Sequence, residues 1–122
     1  MPEKATVRKN FIDLSKVRAK ELPKRKLRAN LDGTEREYEI HALSESHRND
    51  LIVLLISEQP DRLTQSRVLC LARGLDIDIA TATALLDSDA SDEAGRVADA
   101  VFELTDIYQR SKDKEAEEAE KN

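Results

Sequence analysis

The residues with chemistry to offer are two histidines, His41 and His47, and a single cysteine, Cys70. Two imidazoles can begin a metal site, and Glu45 or Asp50 could add a carboxylate, but structural zinc takes four ligands and no cysteine lies near them in sequence. At a strand-to-helix junction such histidines serve as surface or capping residues. A Cys–His nucleophile needs the fold to carry a histidine to the thiol. Cys70 instead stands between Leu69 and Leu71 on a predicted inward face, where it acts as a small hydrophobe. Gly33, Gly74 and Gly95 are too scattered for a Walker loop, a Gly-x-Gly-x-x-Gly turn or a Gly-x-Ser-x-Gly elbow. The residues predict no catalytic group, no metal site and no cofactor, hence a protein that is not an enzyme.

A chain without a reactive centre works through its surfaces, and composition narrows which kind. The 122 residues, 39% hydrophobic and 37% charged, allow one small domain. Trp is absent and Gly and Pro number three each, which removes collagen-like and aromatic-rich propeller readings and leaves a helix-rich domain. One cysteine excludes an internal disulfide framework and fits a reducing cytoplasm. The longest apolar run, residues 51–56, is far short of the roughly 20 needed to cross a bilayer. The N-terminus carries charge where a signal peptide would be apolar, so no membrane role is expected.

The net charge of −5 conceals two opposed segments: residues 1–28 hold ten Lys/Arg against three Asp/Glu (+7), and residues 29–122 hold ten against twenty-two (−12). Within the basic arm Phe11, Leu14, Val17 and Leu22 approximate helical spacing, closed by Pro23; any helix there is marginal. Next, Asp32-Gly33 between two extended segments predicts a β-hairpin with a type I′ turn. In that register Leu27 faces Tyr38 and Ala29 faces Arg36 on one side. On the other, Lys26 faces Glu39, Arg28 faces Glu37 and Asn30 faces Glu35. Such a ribbon needs an apolar support.

The helices that follow supply it. Ser44 or Ser46 can cap a helix carrying the apolar run 51–56 and ending before Pro60. A second begins near Asp61 or Thr64, turns Leu63, Val68, Leu69, Leu71 and Ala72 inward and stops at Gly74 as its left-handed C′ residue. Residues 76–86 read as a third helix, although Asp-Ile-Asp-Ile also alternates like a strand. A fourth starts at Ser91 or Asp92, with Ala94, Val97, Ala98, Val101, Leu104 and Tyr108 on one face. Past Arg110 only Lys, Glu, Asp and Ala dominate, as in a frayed helix or disordered tail. The sum is an α+β fold, mainly α: one β-hairpin packed on three to four helices. Its parts are a basic N-terminal arm at 1–23, the hairpin plus helical domain at 24–110 and a charged mobile tail at 111–122.

Two binding functions compete. The arm has a phosphate-binding composition, and residues 68–86 loosely resemble a helix-turn-helix, which together describe a small nucleic-acid-binding regulator. Against it, a recognition helix brings Arg, Lys, Asn or Gln to base edges, whereas residues 76–87 have none and the body is acidic. The alternative is a protein partner. The apolar helix faces exceed what so small a body needs, and Leu51, Leu54 and Leu55 on the first helix and Val101, Leu104 and Tyr108 on the last are the candidate contact residues.

Residues 27–55 resemble the tail assembly chaperones of long-tailed bacteriophages. The shared pattern is a short strand, Asp32-Gly33, Glu37-Tyr38-Glu39-Ile40, the junction Ala42-Leu43-Ser44, and a helix opening Glu45-Ser46-His47-Arg48. It covers about a quarter of the chain; the later helices and charged tail fit by architecture. The resemblance implies a protein of the host cytoplasm that binds the tape measure protein and keeps it soluble until tail tube protein polymerises around it. It also implies a homo-oligomer without nucleotide or cofactor, and a longer frameshifted form that would diverge after Arg110.

Overall fold

The computed structural model describes residues 11–121. β1 (Lys24–Asn30) and β2 (Glu35–His41) form a two-stranded antiparallel ribbon. The register is the one the residues imply, with Leu27 opposite Tyr38, Ala29 opposite Arg36 and Arg28 opposite Glu37. The turn differs. Gly33 has φ +93° but Asp32 does not share the positive φ that a type I′ turn needs at both positions. Side chains hold the loop instead: Gly33 N–H donates to Asn30 Oδ1 at 2.8 Å and Thr34 N–H to Asp32 Oδ1 at 3.2 Å.

The ion pairs across the ribbon are shifted one step along it. Lys24 reaches Glu39, Lys26 reaches Glu37 and Arg28 reaches Glu35, at 3.8, 3.9 and 3.8 Å. Each base meets the diagonal glutamate and not the residue directly facing it, as the strong twist of a two-stranded ribbon favours. The other side of the ribbon buries Ala29 and Ile40, with Leu31 beside them in the turn.

Four helices follow: α1 (Glu45–Ile56), α2 (Arg62–Leu75), α3 (Ile79–Leu86) and α4 (Ser91–Lys121). Ser44 caps α1, its Oγ accepting from His47 N–H at 3.3 Å. Asp78 caps α3 by accepting from Thr81 N–H at 2.7 Å, and the Thr81 hydrogen bonds hold its carboxyl below the usual range. That cap starts the helix at Ile79, three residues later than expected, so of the Asp-Ile-Asp-Ile segment only Ile79 is helical, and the segment is not a strand. The first half of α4 is the spine of the core: Ala94, Val97, Ala98 and Val101 face Leu71, Ile40 and Leu43, all buried. α4 packs on α2, α3 and both strands, whereas α1 packs chiefly on α2.

Three local readings are corrected or sharpened. α2 does not stop at Gly74; it runs through Leu75, and Asp76 takes the left-handed position at φ +57° while Ile77 N–H returns to Ala72 O at 3.0 Å. Gly74 serves packing, since a Cβ there would sit 2.8 Å from Val101 Cγ1. Past Arg110 the helical alternative holds and the disordered one does not: α4 continues to Lys121. Ala, Glu and Lys are strong helix formers, and Arg110–Asp106 and Gln109–Asp113 contacts at 3.1 and 2.9 Å brace the exit. The arm forms no α-helix within 11–23, only a 3-10 turn at Leu14–Lys16 whose start Asp13 caps. The rest of the arm, residues 1–10, lies outside the described residues.

Candidate partner-binding surface

The six nominated contact residues divide in two. Leu51, Val101 and Leu104 are each 8% exposed or less and belong to the core, so they offer no surface to a partner. The reason is geometric: Leu51 is the one α1 side chain turned fully inward, and Val101 and Leu104 lie on the face of α4 that the other elements enclose. Leu54, Leu55 and Tyr108 are half-buried and reach the surface.

What stays open is the rest of α1. Residues 51–56 are apolar on every side, and a helix packed chiefly on one neighbour can bury only part of its circumference. Val53 is left 65% and Ile56 76% exposed, with Ile52 beside them. Leu63, expected to face inward, is instead exposed because it lies in the first turn of α2, and with Phe102 on α4 it extends the exposed apolar set. Neither Val53 nor Ile56 was singled out from sequence, although six consecutive large aliphatics in one helix already imply an uncovered side.

Two grooves flank α2. The larger, about 500 Å³, runs between α1, α2 and α4 and is lined by Leu55, Leu63, Cys70, Ala98 and Phe102, with the Arg67–Asp99 ion pair (3.6 Å) among its walls. The second, about 360 Å³, is lined by Leu54, Val68, Leu69 and Ile79. Leu54 and Leu55 thus serve opposite sides of α2.

The chemically capable residues have structural employment. Burial, with Asp99 nearby, pushes the Cys70 thiol up to about 12, so it stays a protonated, apolar part of the groove at neutral pH. His41 joins the end of β2 to the C-terminus of α2, with Nδ1 2.8 Å from Ala42 O and Nε2 3.0 Å from Asp76 Oδ2. Among the described residues no three His, Cys, Asp or Glu side chains gather as a metal would require. Tyr108 is occupied by its own chain: the Lys20 and Lys112 ammonium groups lie 5.7 and 5.5 Å from its ring centre. The Tyr108 contact also raises the Lys20 pKa.

Fold and surface together define a small α+β domain, mainly helical, whose outer helix and interhelical grooves present apolar side chains. No helix among the described residues is long and apolar enough to cross a membrane. Comparison with protein families, with curated proteins and with solved structures finds no match to this chain.

Proposed function

We propose that the protein is a non-enzymatic tail assembly chaperone of a long-tailed bacteriophage, acting in the host cytoplasm. It binds apolar stripes of the tape measure protein and keeps that long chain dispersed until tail tube protein closes around it. The observation that carries this reading is the outer side of α1, where Val53 and Ile56 stand exposed on a helix that the body covers on one side only. The pattern of residues 27–55 supports it. A cap of this kind works by mass action on the client's soluble state, and the acidic body supplies repulsion between coated assemblies. Self-association, so that several copies line one client, belongs to the same reading.

The test is co-expression with the product of an adjacent long helical reading frame. The wild-type chain should render it soluble and co-purify with it. Val53→Asp/Ile56→Asp should abolish this while leaving thermal stability within about 0.5 kcal/mol, as expected of exposed positions. A client that stays insoluble with the wild-type chain, or dissolves equally with the variant, would sink the reading. The regulator alternative rests on the arm, where Lys16 and Arg18 are exposed. It is weakened by β1, whose Lys24, Arg25, Lys26 and Arg28 all pair with glutamates. DNA affinity that falls steeply with salt would favour it.

A further inference from the structure

Tyr108 is the meeting point of groups that do not satisfy one another. The Lys20 and Lys112 ammonium groups lie 5.7 and 5.5 Å from the centre of the same ring. Lys112 is also within hydrogen-bonding reach of Lys20, so the two charges gather at one place. Neither lysine enters an ion pair among the described residues. The Tyr108 hydroxyl oxygen is shut off from solvent and completes no hydrogen bond of normal geometry, alone in this among the buried side-chain atoms of the described residues.

A cation over a ring face is ordinary, but a second ammonium beside the first is repelled by it. A buried hydroxyl without a partner forfeits a hydrogen bond, and such an atom in a native protein marks a place for water or an ion. Water would satisfy the hydroxyl and leave the two charges facing each other. An anion answers both. The carboxylates nearby do not supply it: Glu45 acts on Lys20 only through space, and Glu21 pairs with neither lysine. Glu21 instead lines a shallow hollow of about 380 Å³ beside Tyr108, with Leu22, Pro23 and Lys24. Lys24 is already held by Glu39 at 3.8 Å. The hollow opens a way to the ring, and the ammonium groups end flexible stems that can part around a guest.

We infer that Lys20, Lys112 and the Tyr108 hydroxyl form a binding site for a phosphate dianion. A carboxylate carries one charge and leaves one ammonium unbalanced. A phosphate carries about two at neutral pH and offers three acceptor oxygens, one for each donor. Lysine serves phosphate as a point charge and needs no fixed fork, which suits two ammonium groups on mobile stems. Lys20 belongs to the arm and Lys112 to α4, so the guest ties the arm's root to that helix. The site does not depend on the chaperone reading, and its test needs no tape measure protein.

The test is a titration of the full chain with inorganic phosphate at constant ionic strength, followed by amide NMR. Shifts should saturate and centre on the residues around Lys20 and on the turn of α4 from Tyr108 to Lys112. Lys20→Gln and Lys112→Gln should each raise the dissociation constant by about tenfold or more. Tyr108→Phe, which keeps the ring and removes the hydroxyl, should raise it as well, and all three variants should keep the wild-type circular dichroism. Acetate should give no saturable shift. Phenyl phosphate separates two sources of the ligand: weaker binding than inorganic phosphate identifies a free ion, and equal or tighter binding a phosphoryl group carried on a larger molecule. Shifts that grow without saturating, an equal response to acetate, or an unchanged dissociation constant in any of the three variants would each overturn the inference.

Discussion

Thr105 is the buried polar residue on which the α4 spine and the strand-to-helix junction meet. Its Oγ1 accepts from Leu43 N–H at 2.9 Å and donates to Val101 O at 2.8 Å, at a site only 4% exposed. Thr105→Val keeps the shape and strands the Leu43 N–H, so unfolding in urea should show a loss of about 1–3 kcal/mol. Thr105→Ser, which keeps the hydroxyl, should recover most of it. Glu93 ties a second junction: one carboxylate oxygen accepts from Asn30 N–H at 3.2 Å and the other from Arg96 Nε at 2.9 Å. Arg96 in turn donates to Arg28 O at 2.5 Å. The Arg96 hydrogen bond first, then the Asn30 N–H, hold the Glu93 carboxyl below its usual range. The unfolded chain therefore binds the more protons in acid, and the stabilisation, present above the ordinary glutamate value of about 4.3, is lost as pH falls through the depressed folded value. Melting temperatures of Glu93→Gln followed from neutral pH into acid should fall less steeply than those of the wild type.

At the scale of elements, Gly74 sets how closely α2 and α4 approach. Helix propensity alone predicts that Gly74→Ala stabilises by up to about 1 kcal/mol. The added Cβ meets Val101 at less than normal contact distance in an enclosed core, where overpacking costs about 1–3 kcal/mol, so the packing term should win and the variant should be less stable. Val101→Ala in the same chain should relieve the clash, giving a favourable coupling in a double-mutant cycle read by urea unfolding. The same position shows where sequence reading stops. Register in the hairpin was legible because alternation and cross-strand charge depend on residues a few positions apart, and the inner face of α4 was legible from its i, i+3, i+4 spacing. Gly74 looked like a terminator because its true constraint, Val101, lies 27 residues downstream. That α1 has an open side was implied by its six consecutive aliphatics, but which side was hidden for the same reason: the residues that are covered depend on the neighbours the helix acquires, and that is a property of the assembled fold.

For the molecule as a whole, the charge asymmetry counted from the sequence is partly consumed within the fold. Every base of β1 pairs with a glutamate, on β2 or, for Arg25, on α4, so the hairpin carries little of the basic excess, and what remains belongs to residues such as Lys16 and Arg18. Exposed pairs of this kind add little to stability; their effect is to leave the ribbon locally near neutral beside an acidic body. The candidate site was half legible at this scale. Leu54 and Leu55 reach the surface, but Leu51, Val101 and Leu104 were spent on the core, because a domain this small needs its best aliphatics to close at all.

The 31 residues of α4 extend about 46 Å, nearly twice the roughly 26 Å that would span two gyration radii of a 100-residue globule. Its far turns therefore stand out from the body like a handle, and drag on the molecule is that of an elongated particle. A lone chain will leave a gel-filtration column early, imitating a heavier sphere, whereas static light scattering or sedimentation equilibrium, which are free of drag, will give its true mass.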